Sequence, residues 1–371
     1  MKVTLWTVVP NHYQGPFLAA LRDAGIDLRV NYYGRVRPER LRLGWDAFET
    51  LPPGERYVKP ELSQETLGDD WRGRIHVVPG YGQRFLRSLA IFFSKAGAQW
   101  AHWSEPAHPG WQWYAAYPLR RWYARLVNRY ALGAFAIGEA ACRDFARWGV
   151  RAEKTAILTY SNPAIPSNTQ PDSLCERFRG RRNAFLFVGS IEPRKGVDVL
   201  LRAFACIAGT AEGWALILAG DDRSAGKYQR GIAAQGLGRH VLFRGPVAAS
   251  AIGSVLRSAQ VLVLPSRFDG WGVVLNEAAV AGLALIASDR CGAAYHLIHP
   301  GRNGFRVRAG SVESLAAAMA AYAANPELAV KHGAESARIS AEYSPEQNAK
   351  RFLAGLEAWQ ALKSVSNARR D

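Results

Sequence analysis

The chain has 371 residues, a formal net charge of +16 and 49% apolar residues. This length predicts two domains, and the apolar share lets both bury a core, which excludes a wholly disordered chain. No apolar run reaches the roughly 18 residues of a membrane span, and the first apolar stretch, Val3 to Val9, ends at Pro10. We therefore expect neither a transmembrane helix nor a signal peptide, and predict a cytoplasmic protein.

The charge and the cysteines narrow the classes of function. Lys and Arg number 47 against 31 Asp and Glu. Such an excess attracts nucleic acid, acidic lipid and anionic small molecules, and it also serves plain solubility. No nucleic-acid-binding module is recognisable, so we expect no nucleic-acid partner. The four cysteines lie far apart without a C-x-x-C pair, which argues against a disulfide framework and a structural zinc site.

Apolar strand patterns alternate with helical patterns from the first residues onward. In the first half we predict strands over 2–9, 28–33, 74–79, 100–104, 134–137 and 155–160, and helices over 15–24, 84–96, 111–130 and 139–148. Residues 35–73 are rich in Pro, Gly and charge, which predicts a long irregular excursion. Residues 161–180 contain three prolines and predict a linker.

After the linker the alternation starts again. We predict strands over 184–191, 215–219, 241–243, 261–264, 284–287 and 305–307, and helices over 196–208, 227–236, 249–259, 272–281, 292–298, 312–324, 327–341 and 345–364. This pattern predicts an α/β protein of two doubly wound, Rossmann-like domains, 1–165 and 166–343, with a C-terminal helix over 344–371 that packs back on the first. Such sheets bind ligands at the carboxyl ends of their strands, so we expect a central cleft that both domains face.

The strongest motif follows the strand that ends at Leu264. Gly270 and Gly272 allow backbone N–H groups to approach a ligand, and a helix that starts near Gly272 offers partial positive charge to a phosphate. Asp269 lies in the loop, and Glu277 follows in the second turn of the helix. This combination suits a sugar nucleotide, because the N–H groups would bind the diphosphate and the carboxylates would bind the hydroxyls of the sugar and the ribose. The alternative is that Asp269 caps the helix and Glu277 is solvated.

A second motif follows the strand that ends at Gly189. Arg194 and Lys195 lie at the far edge of its loop, just before the next helix. Cations at this position can neutralise the charge of a bound phosphate. The alternative is two solvated basic residues at a turn, and that alternative weakens because both motifs fall in one predicted domain.

Together these motifs resemble the nucleotide-binding domain of glycosyltransferase family four, which comprises retaining enzymes of the GT-B fold. The matching stretches are 187–204, 215–221, 241–245, 261–286 and 301–318. The acidic signature of the family is a Glu, seven residues and a second Glu. Here the signature reads Asp269, seven residues and Glu277.

The resemblance implies a role for each residue of the two motifs. Asp269 would contact hydroxyls of the donor sugar, Glu277 the ribose and Lys195 the diphosphate. The family often places an arginine after the strand-end glycine, where this chain has Ser190, and Arg194 is the substitute that we consider. The implied donor-binding residues are Gly15, Gly189, Arg194, Lys195, Asp269, Gly270, Trp271, Gly272, Val273 and Glu277.

In such enzymes the N-terminal half supplies the acceptor site. Gly15, in a loop that opens the first helix, would let the backbone approach the donor phosphates, and His12 of that loop either meets an acceptor or is a plain loop residue. Family members commonly place a histidine or an acid near the reacting sugar. Glu105 and His108, which follow another strand, are our candidates, and ordinary loop polarity is the alternative.

Residues 111–130 mix aromatic side chains with Arg120, Arg121, Arg125 and Arg129. This mixture suits the headgroup layer of an anionic membrane, and equally a core-facing helix with a basic outer face. We predict no metal site and no cofactor, because the acidic pairs at 69–70 and 221–222 fit turn residues. Transferases of this fold use helix dipoles and basic side chains in place of a metal.

The sequence thus predicts a retaining, metal-independent, hexosyltransferase-like glycosyltransferase with Asp269, Lys195, Glu105 and His108 as its catalytic residues. It would move a sugar from a nucleotide diphosphate sugar to a glycan or lipid-linked acceptor in envelope or exopolysaccharide assembly. We place it in the cytoplasm, with peripheral contact to the inner face of an anionic plasma membrane. The alternatives are a nucleotide-sugar epimerase of the same architecture and a non-catalytic nucleotide-sugar-binding protein.

Overall fold

A computed structural model of the chain describes residues 1–11, 13–36, 51–108, 110, 114–162, 165–166, 168–180 and 182–368. The chain divides into two compact units. Unit 1 comprises Met1–Ser161 and Ser344–Asp371, and unit 2 comprises Asn162–Tyr343. The first unit therefore ends at Ser161 rather than at residue 165, and it includes the C-terminal segment.

Unit 1 is built on a parallel sheet with the strand order β3-β2-β1-β4-β5-β6-β7. Its strands are β1 (Lys2–Thr7), β2 (Asp27–Tyr32), β3 (Glu55–Tyr57), β4 (Ile75–Pro79), β5 (Trp100–Ser104), β6 (Ala134–Ile137) and β7 (Thr155–Leu158). The helices that the structure describes before the crossing to unit 2 are α1 (Gly15–Asp23), α2 (Gln64–Leu67), α3 (Arg84–Lys95), α4 (Tyr117–Tyr130) and α5 (Gly138–Trp148).

The sheet of unit 1 is covered by side chains that leave almost no contact with water. Val3 and Val77, on the neighbouring strands β1 and β4, are both 0% exposed. Parallel sheets need such burial on both faces, which explains the apolar strand sequences. Large aromatic side chains, among them Trp6, Phe93 and Trp100, fill the core on one side of the sheet.

Unit 2 has a second parallel sheet, in the order β10-β9-β8-β11-β12-β13. The strands are β8 (Asn183–Val188), β9 (Trp214–Ala219), β10 (Val241–Gly245), β11 (Val261–Leu264), β12 (Ala284–Ser288) and β13 (Gly304–Val307). The helices are α6 (Ser173–Arg179), α7 (Val197–Ile207), α8 (Lys227–Ala234), α9 (Ile252–Leu256), α10 (Val274–Val280), α11 (Ala294–Leu297), α12 (Val312–Ala324) and α13 (Pro326–Ser340).

The last helix, α14 (Pro345–Ala368), packs on unit 1 through aromatic side chains. The ring of Phe352 stacks on Phe135 of β6 with 4.8 Å between centroids, and Trp359 lies 4.7 Å from the same ring. Only a glycine at position 133 leaves room for the Trp359 ring, because a Cβ there would lie 2.2 Å from that ring. The end of the chain is thus part of the core of unit 1.

Both regions that the sequence predicts as irregular contain regular structure. The excursion over 35–73 includes β3 and α2, and the linker over 161–180 includes α6. The Asp172 carboxylate caps α6 by accepting hydrogen bonds from the N–H groups of Leu174 and Cys175. The prediction of irregular chain was wrong for these elements because each is too short to show a hydrophobic period.

The placement of Arg120 contradicts its predicted contact with a membrane. Its side chain is buried in unit 1, donates a hydrogen bond to the Tyr81 hydroxyl and lies 5.6 Å from the centroid of the Trp148 ring. Arg121, Arg125 and Arg129 are exposed on the same helix. The described part of this stretch, from residue 114 onward, therefore has one face in the core and a basic outer face; residues 111–113 lie outside the described chain.

His76 is a buried histidine whose two ring nitrogens both have partners. Nε2 lies 2.8 Å from the Trp71 carbonyl oxygen, to which it donates, and Nδ1 accepts from the Trp6 indole N–H at 3.3 Å. A proton on Nδ1 would face the indole proton, so this arrangement holds the neutral ring. Burial lowers the pKa of His76 to about 4 from an ordinary value of 6.5.

We predict that unit 1 loses stability as the pH falls, partly through His76. The unfolded state binds a proton at His76 below about pH 6.5 and the folded state only below about pH 4, so acid favours unfolding in this window. From about pH 7 to pH 5 this residue should account for roughly 2 kcal/mol of lost stability. Thermal unfolding of His76→Gln should depend less on pH than that of the wild type, whatever stability it loses at neutral pH.

The exposed His299 provides the control. His299→Gln should keep the wild-type pH profile. Identical pH profiles for His76→Gln and the wild type would contradict the assignment.

Candidate functional site

The two sequence motifs meet at the carboxyl edge of the unit 2 sheet. One follows β8 and the other follows β11, and these strands are neighbours at the point where the strand order changes direction. Ligands of open α/β sheets bind at this point. Two glycines allow close backbone contacts here. A Cβ on Gly196 would lie 2.1 Å from the Pro265 carbonyl oxygen of the other motif, and one on Gly220, which follows β9, would lie 1.8 Å from that of Gly189.

An ion pair joins the two motifs. Lys195 Nζ donates to Asp269 Oδ2 at 2.6 Å, and the two side chains are only 16% and 14% exposed. The backbone holds Asp269 in place, since its N–H donates to the Arg290 carbonyl and its own carbonyl accepts from the Gly292 N–H. The structure thus contradicts both alternatives to a binding role: Lys195 is not a solvated residue at a turn, and Asp269 does not cap α10.

Arg194 lies beside the pair and is more exposed. It donates to Glu192 at 2.8 Å and to the Phe268 carbonyl at 3.2 Å. Its side chain is 45% exposed, so it can turn toward a ligand. Ser190, which replaces the arginine expected after the strand-end glycine, donates to Glu192 as well.

The sequence did not reveal a second ion pair that holds the same loops. Arg267 binds Asp198 of α7 through two hydrogen bonds, each of 2.7 Å, and its N–H donates to the Arg194 carbonyl. Hydrogen bonding from Arg267 holds the pKa of the Asp198 carboxyl below its ordinary value. This bidentate pair fixes the position of the loop that contains Lys195. An Asp in the first turn after the motif is the only sequence signal for it, and that signal is weak.

The loop between Asp269 and α10 is tightly packed. Gly272 has a φ of +92°, which favours glycine, and a Cβ there would lie 2.9 Å from the Leu264 side chain. Gly270 is buried. Residue 292 must be a glycine, because a Cβ there would lie 2.2 Å from the Gly270 carbonyl oxygen. Close packing of this kind fixes the backbone N–H groups that the sequence assigns to a ligand.

Trp271 and Glu277 are both buried beside this loop. The Trp271 indole donates to Asn276 at 2.8 Å, and Asn276 donates to Asn162 at 3.0 Å, a polar chain that sequence reasoning missed. The helix α10 begins at Val274, directly after Val273, rather than near Gly272. Glu277 therefore lies in the first turn of the helix, not in the second.

Unit 1 has a cavity of about 520 Å³ at the carboxyl edge of its own sheet. Residues that follow β1, β4 and β5 line it, among them Val8, Gly80 and Glu105. Tyr160 donates to Glu105 at 2.8 Å, and the rings of Tyr13 and Tyr160 meet edge to face at 5.6 Å. The cavity thus combines aromatic rings with one of the predicted catalytic acids.

The other described candidates in unit 1 are not among the residues that line this cavity. His108 is exposed and is not among the described lining residues. Gly15 is the first residue of α1, and no described atom lies within 4 Å of where its Cβ would be. His12 lies outside the described residues. The structure therefore brings Glu105 to the cavity and does not bring His108 there.

The described residues offer neither a metal-binding cluster nor a membrane-spanning helix. None of their groups of His, Cys, Asp and Glu has the three members that a metal ion needs. Within the same ranges, no helix has both the length and the apolar character to cross a bilayer.

The family match lies within unit 2. Residues 175–338 match the model of the family described as glycosyl transferases group 1. The chain is 33% identical over 167 residues to the lipopolysaccharide core biosynthesis mannosyltransferase LpcC of Rhizobium leguminosarum bv. viciae, covering 43% of this chain and 47% of that protein. It is 30% identical over 231 residues to phosphatidyl-myo-inositol mannosyltransferase of Mycobacterium leprae, covering 59% and 57%. The chain spans about half the length of these relatives.

A solved structure matches both units. The chain resembles Anabaena HepE in complex with UDP with a TM-score of 0.74 and 17% identity, over 96% of this chain and 100% of that chain. Identity this low shows the fold alone. The match confirms the predicted α/β class, two Rossmann-like domains with parallel sheets of the GT-B type.

We predict that Gly196→Ala destabilises unit 2 at the contact between the loop after β8 and the loop after β11. Gly196 has a φ of +72°, and the added Cβ would clash with the Pro265 carbonyl oxygen. Left-handed strain alone costs about 1–2 kcal/mol, and the clash adds to it. Thermal unfolding of unit 2 measures the effect. The control is Gly209→Ala, where a Cβ meets nothing within 4 Å; equal unfolding temperatures for the two variants would count against the packing described.

Proposed function

We propose that this chain, whose residues 175–338 match the model of the glycosyl transferases group 1 family, moves a sugar from a nucleotide diphosphate sugar to an acceptor. The observation that carries the proposal is the largely buried Lys195–Asp269 pair at the carboxyl edge of the unit 2 sheet. It places a cation suited to a diphosphate 2.6 Å from a carboxylate suited to sugar hydroxyls. The names of the two mannosyltransferase relatives support the same class of reaction.

The donor would bind unit 2. Lys195 and Arg194 would neutralise the diphosphate, Asp269 would hold hydroxyls of the donor sugar, and Glu277 would hold the ribose. Backbone N–H groups of Gly270, Trp271, Gly272 and Val273 would add hydrogen bonds to the phosphates, with Gly189 and Gly15 as further backbone contacts.

The chemistry would be departure of the nucleotide diphosphate while the sugar takes on oxocarbenium character. Negative charge grows on the leaving diphosphate, and a preorganised ammonium such as that of Lys195 stabilises the transition state more than the ground state. Attack of the acceptor on the face that the diphosphate leaves would retain the anomeric configuration. The described side chains of the site supply this charge without a metal ion.

The acceptor would bind unit 1. The cavity that Glu105 lines offers rings for sugar contact through Tyr13 and Tyr160, and a carboxylate for an acceptor hydroxyl. His108, exposed on the same loop, stays a prediction. The relatives are named for lipopolysaccharide core and phosphatidyl-myo-inositol, which supports a glycan or lipid-linked acceptor in envelope or exopolysaccharide assembly.

Peripheral contact with an anionic membrane from the cytoplasmic side remains part of the proposal. With Arg120 buried, it depends on the exposed Arg121, Arg125 and Arg129 of α4. Each cation near an anionic surface contributes about 1 kcal/mol.

Product analysis tests the function. Purified protein is incubated with a panel of nucleotide diphosphate sugars, with and without a glycolipid acceptor extract and with and without a chelator. Transfer that needs acceptor and survives chelation supports the proposal. A changed sugar in the nucleotide pool without acceptor indicates an epimerase, and binding without turnover for every donor indicates a non-catalytic protein.

We predict that Glu277→Ala weakens binding of the donor by about 1.5–3 kcal/mol, because a charged hydrogen-bond partner of the ribose is lost. Titration calorimetry with the preferred nucleotide diphosphate measures it. Glu277→Gln should lose less, since the amide keeps an acceptor. The exposed Glu313→Ala is the control, and a Glu277→Ala affinity equal to that of this control would reject the ribose assignment.

We predict that Lys195→Ala lowers kcat by roughly 100-fold, because the leaving diphosphate loses its main cation. The effect on kcat should be at least as large as the effect on KM, since the charge grows in the transition state. Arg194→Ala is the neighbouring control and should cost less, because that side chain is exposed and bound to Glu192. Wild-type kcat at saturating donor would remove Lys195 from the mechanism.

A further inference from the structure

A cavity of about 1070 Å³ lies at the opposite, amino edge of the unit 1 sheet. It is lined by residues that precede β5, β6 and β7, by the ends of α3 and α4, and by α14. The strands of this sheet are parallel, so the cavity lies at the other end of the strands from the Glu105 cavity. We call it the amino-edge groove.

The groove is cationic. Five positively charged side chains line it, and among its described lining residues Glu153 is the acidic one. The five are Arg125, Arg129, Arg151, Lys154 and Lys363. Glu153 pairs with Arg151 at 3.3 Å, and within the described chain Arg125, Arg129 and Lys363 form no ion pair.

A structural role accounts for only part of this charge. Lys154 donates to the Ala131 carbonyl, and Arg151 donates to the Asn128 carbonyl at 3.1 Å, so these two cations satisfy the C-terminal end of α4. Carbonyl oxygens carry partial charge and leave the ammonium and guanidinium groups electrostatically uncompensated. Burial, followed by the charges of Arg151 and Lys363, lowers the pKa of Lys154 to about 8. The groove therefore brings like charges close together. Their mutual repulsion costs free energy, and a bound anion would remove that cost.

The floor of the groove is apolar. Leu132 and Trp359 lie buried along it, and Leu362, 50% exposed, lies at its side. A ligand that matches both features has a phosphate group for the cations and an uncharged body for the floor. A phosphate monoester carries about −1.5 to −2 charges at pH 7 and three acceptor oxygens, so it can bind several of these cations at once, whereas a carboxylate carries a single charge.

We propose that the amino-edge groove is a binding site for a phosphate ester, separate from the donor site of unit 2. A soluble phosphate ester and the headgroup of a membrane phospholipid share this chemistry. The proposal stands independently of glycosyl transfer, because no residue of the groove belongs to the donor site or to the Glu105 cavity.

Titration calorimetry with dihexanoyl phosphatidic acid, kept below its micelle concentration, tests the site on the full chain. The Arg129→Glu/Lys363→Glu variant should bind this probe at least about tenfold more weakly, because two of the phosphate partners change sign. Lys59→Glu/Arg143→Glu is the matched control. It changes the charge equally, at exposed positions of unit 1 that do not line the groove, and it should bind like the wild type. Thermal unfolding confirms that each variant is folded.

Two further arms separate the ligand sources and the two sites. Lys195→Ala should leave binding of the probe unchanged, which distinguishes the groove from a phosphate site in unit 2. Flotation with phosphatidylcholine vesicles that contain phosphatidic acid then identifies the source: binding that the groove variant abolishes indicates a membrane lipid, and binding of the monomeric probe alone indicates a soluble ester. Failure to bind the monomeric probe, or equal loss in the Lys59→Glu/Arg143→Glu control, overturns the proposal.

Discussion

The ion pair of Lys195 and Asp269 is the interaction that most strictly determines how the loops of unit 2 must be arranged. Both side chains are largely removed from water, and a buried charge without its partner costs several kcal/mol. The pair can form only if the loop after β8 and the loop after β11 are held at a fixed separation. The glycine at 196, where a Cβ would overlap the Pro265 carbonyl, and the Arg267–Asp198 bonds meet that condition. Much of the sequence around the site is explained by the need to keep this one distance.

The sequence predicted this site because parallel sheets follow a strong rule. Lys195 and Asp269 are 74 positions apart in the sequence, which says nothing about their distance in space. Each follows a strand of one parallel sheet, however, and the carboxyl ends of such strands share an edge. The two motifs were therefore predictable together. The Arg267–Asp198 pair and the Trp271–Asn276–Asn162 chain were not, because they depend on side-chain directions in loops, which have no period.

The errors have physical causes of the same kind. From composition we predicted that Arg120 is exposed like the other arginines of α4. Composition does not show that the rings of Tyr81 and Trp148 lie beside its buried guanidinium group. The helix α6 fell in a predicted linker because seven residues are too few to display a face, while the cap at Asp172 and the burial of Cys175 stabilise it. The start of α10 moved by two residues, as is usual for helix ends, and that shift put Glu277 in the first turn.

The distribution of ion pairs indicates that part of the net charge of +16 has a role other than keeping the protein soluble. In unit 2, several cations around the strand ends and helices have carboxylate partners, namely those of Lys195–Asp269, Arg244–Asp172, Arg267–Asp198 and Arg302–Glu335. At the amino edge of unit 1, Arg125, Arg129 and Lys363 converge on one groove, and the described chain supplies them with no carboxylate. Charges that served solubility alone would gain by spreading apart, because mutual repulsion falls with distance. Their convergence around a half-buried Lys154 and an apolar floor is the arrangement of a site whose counter-charge comes from a ligand.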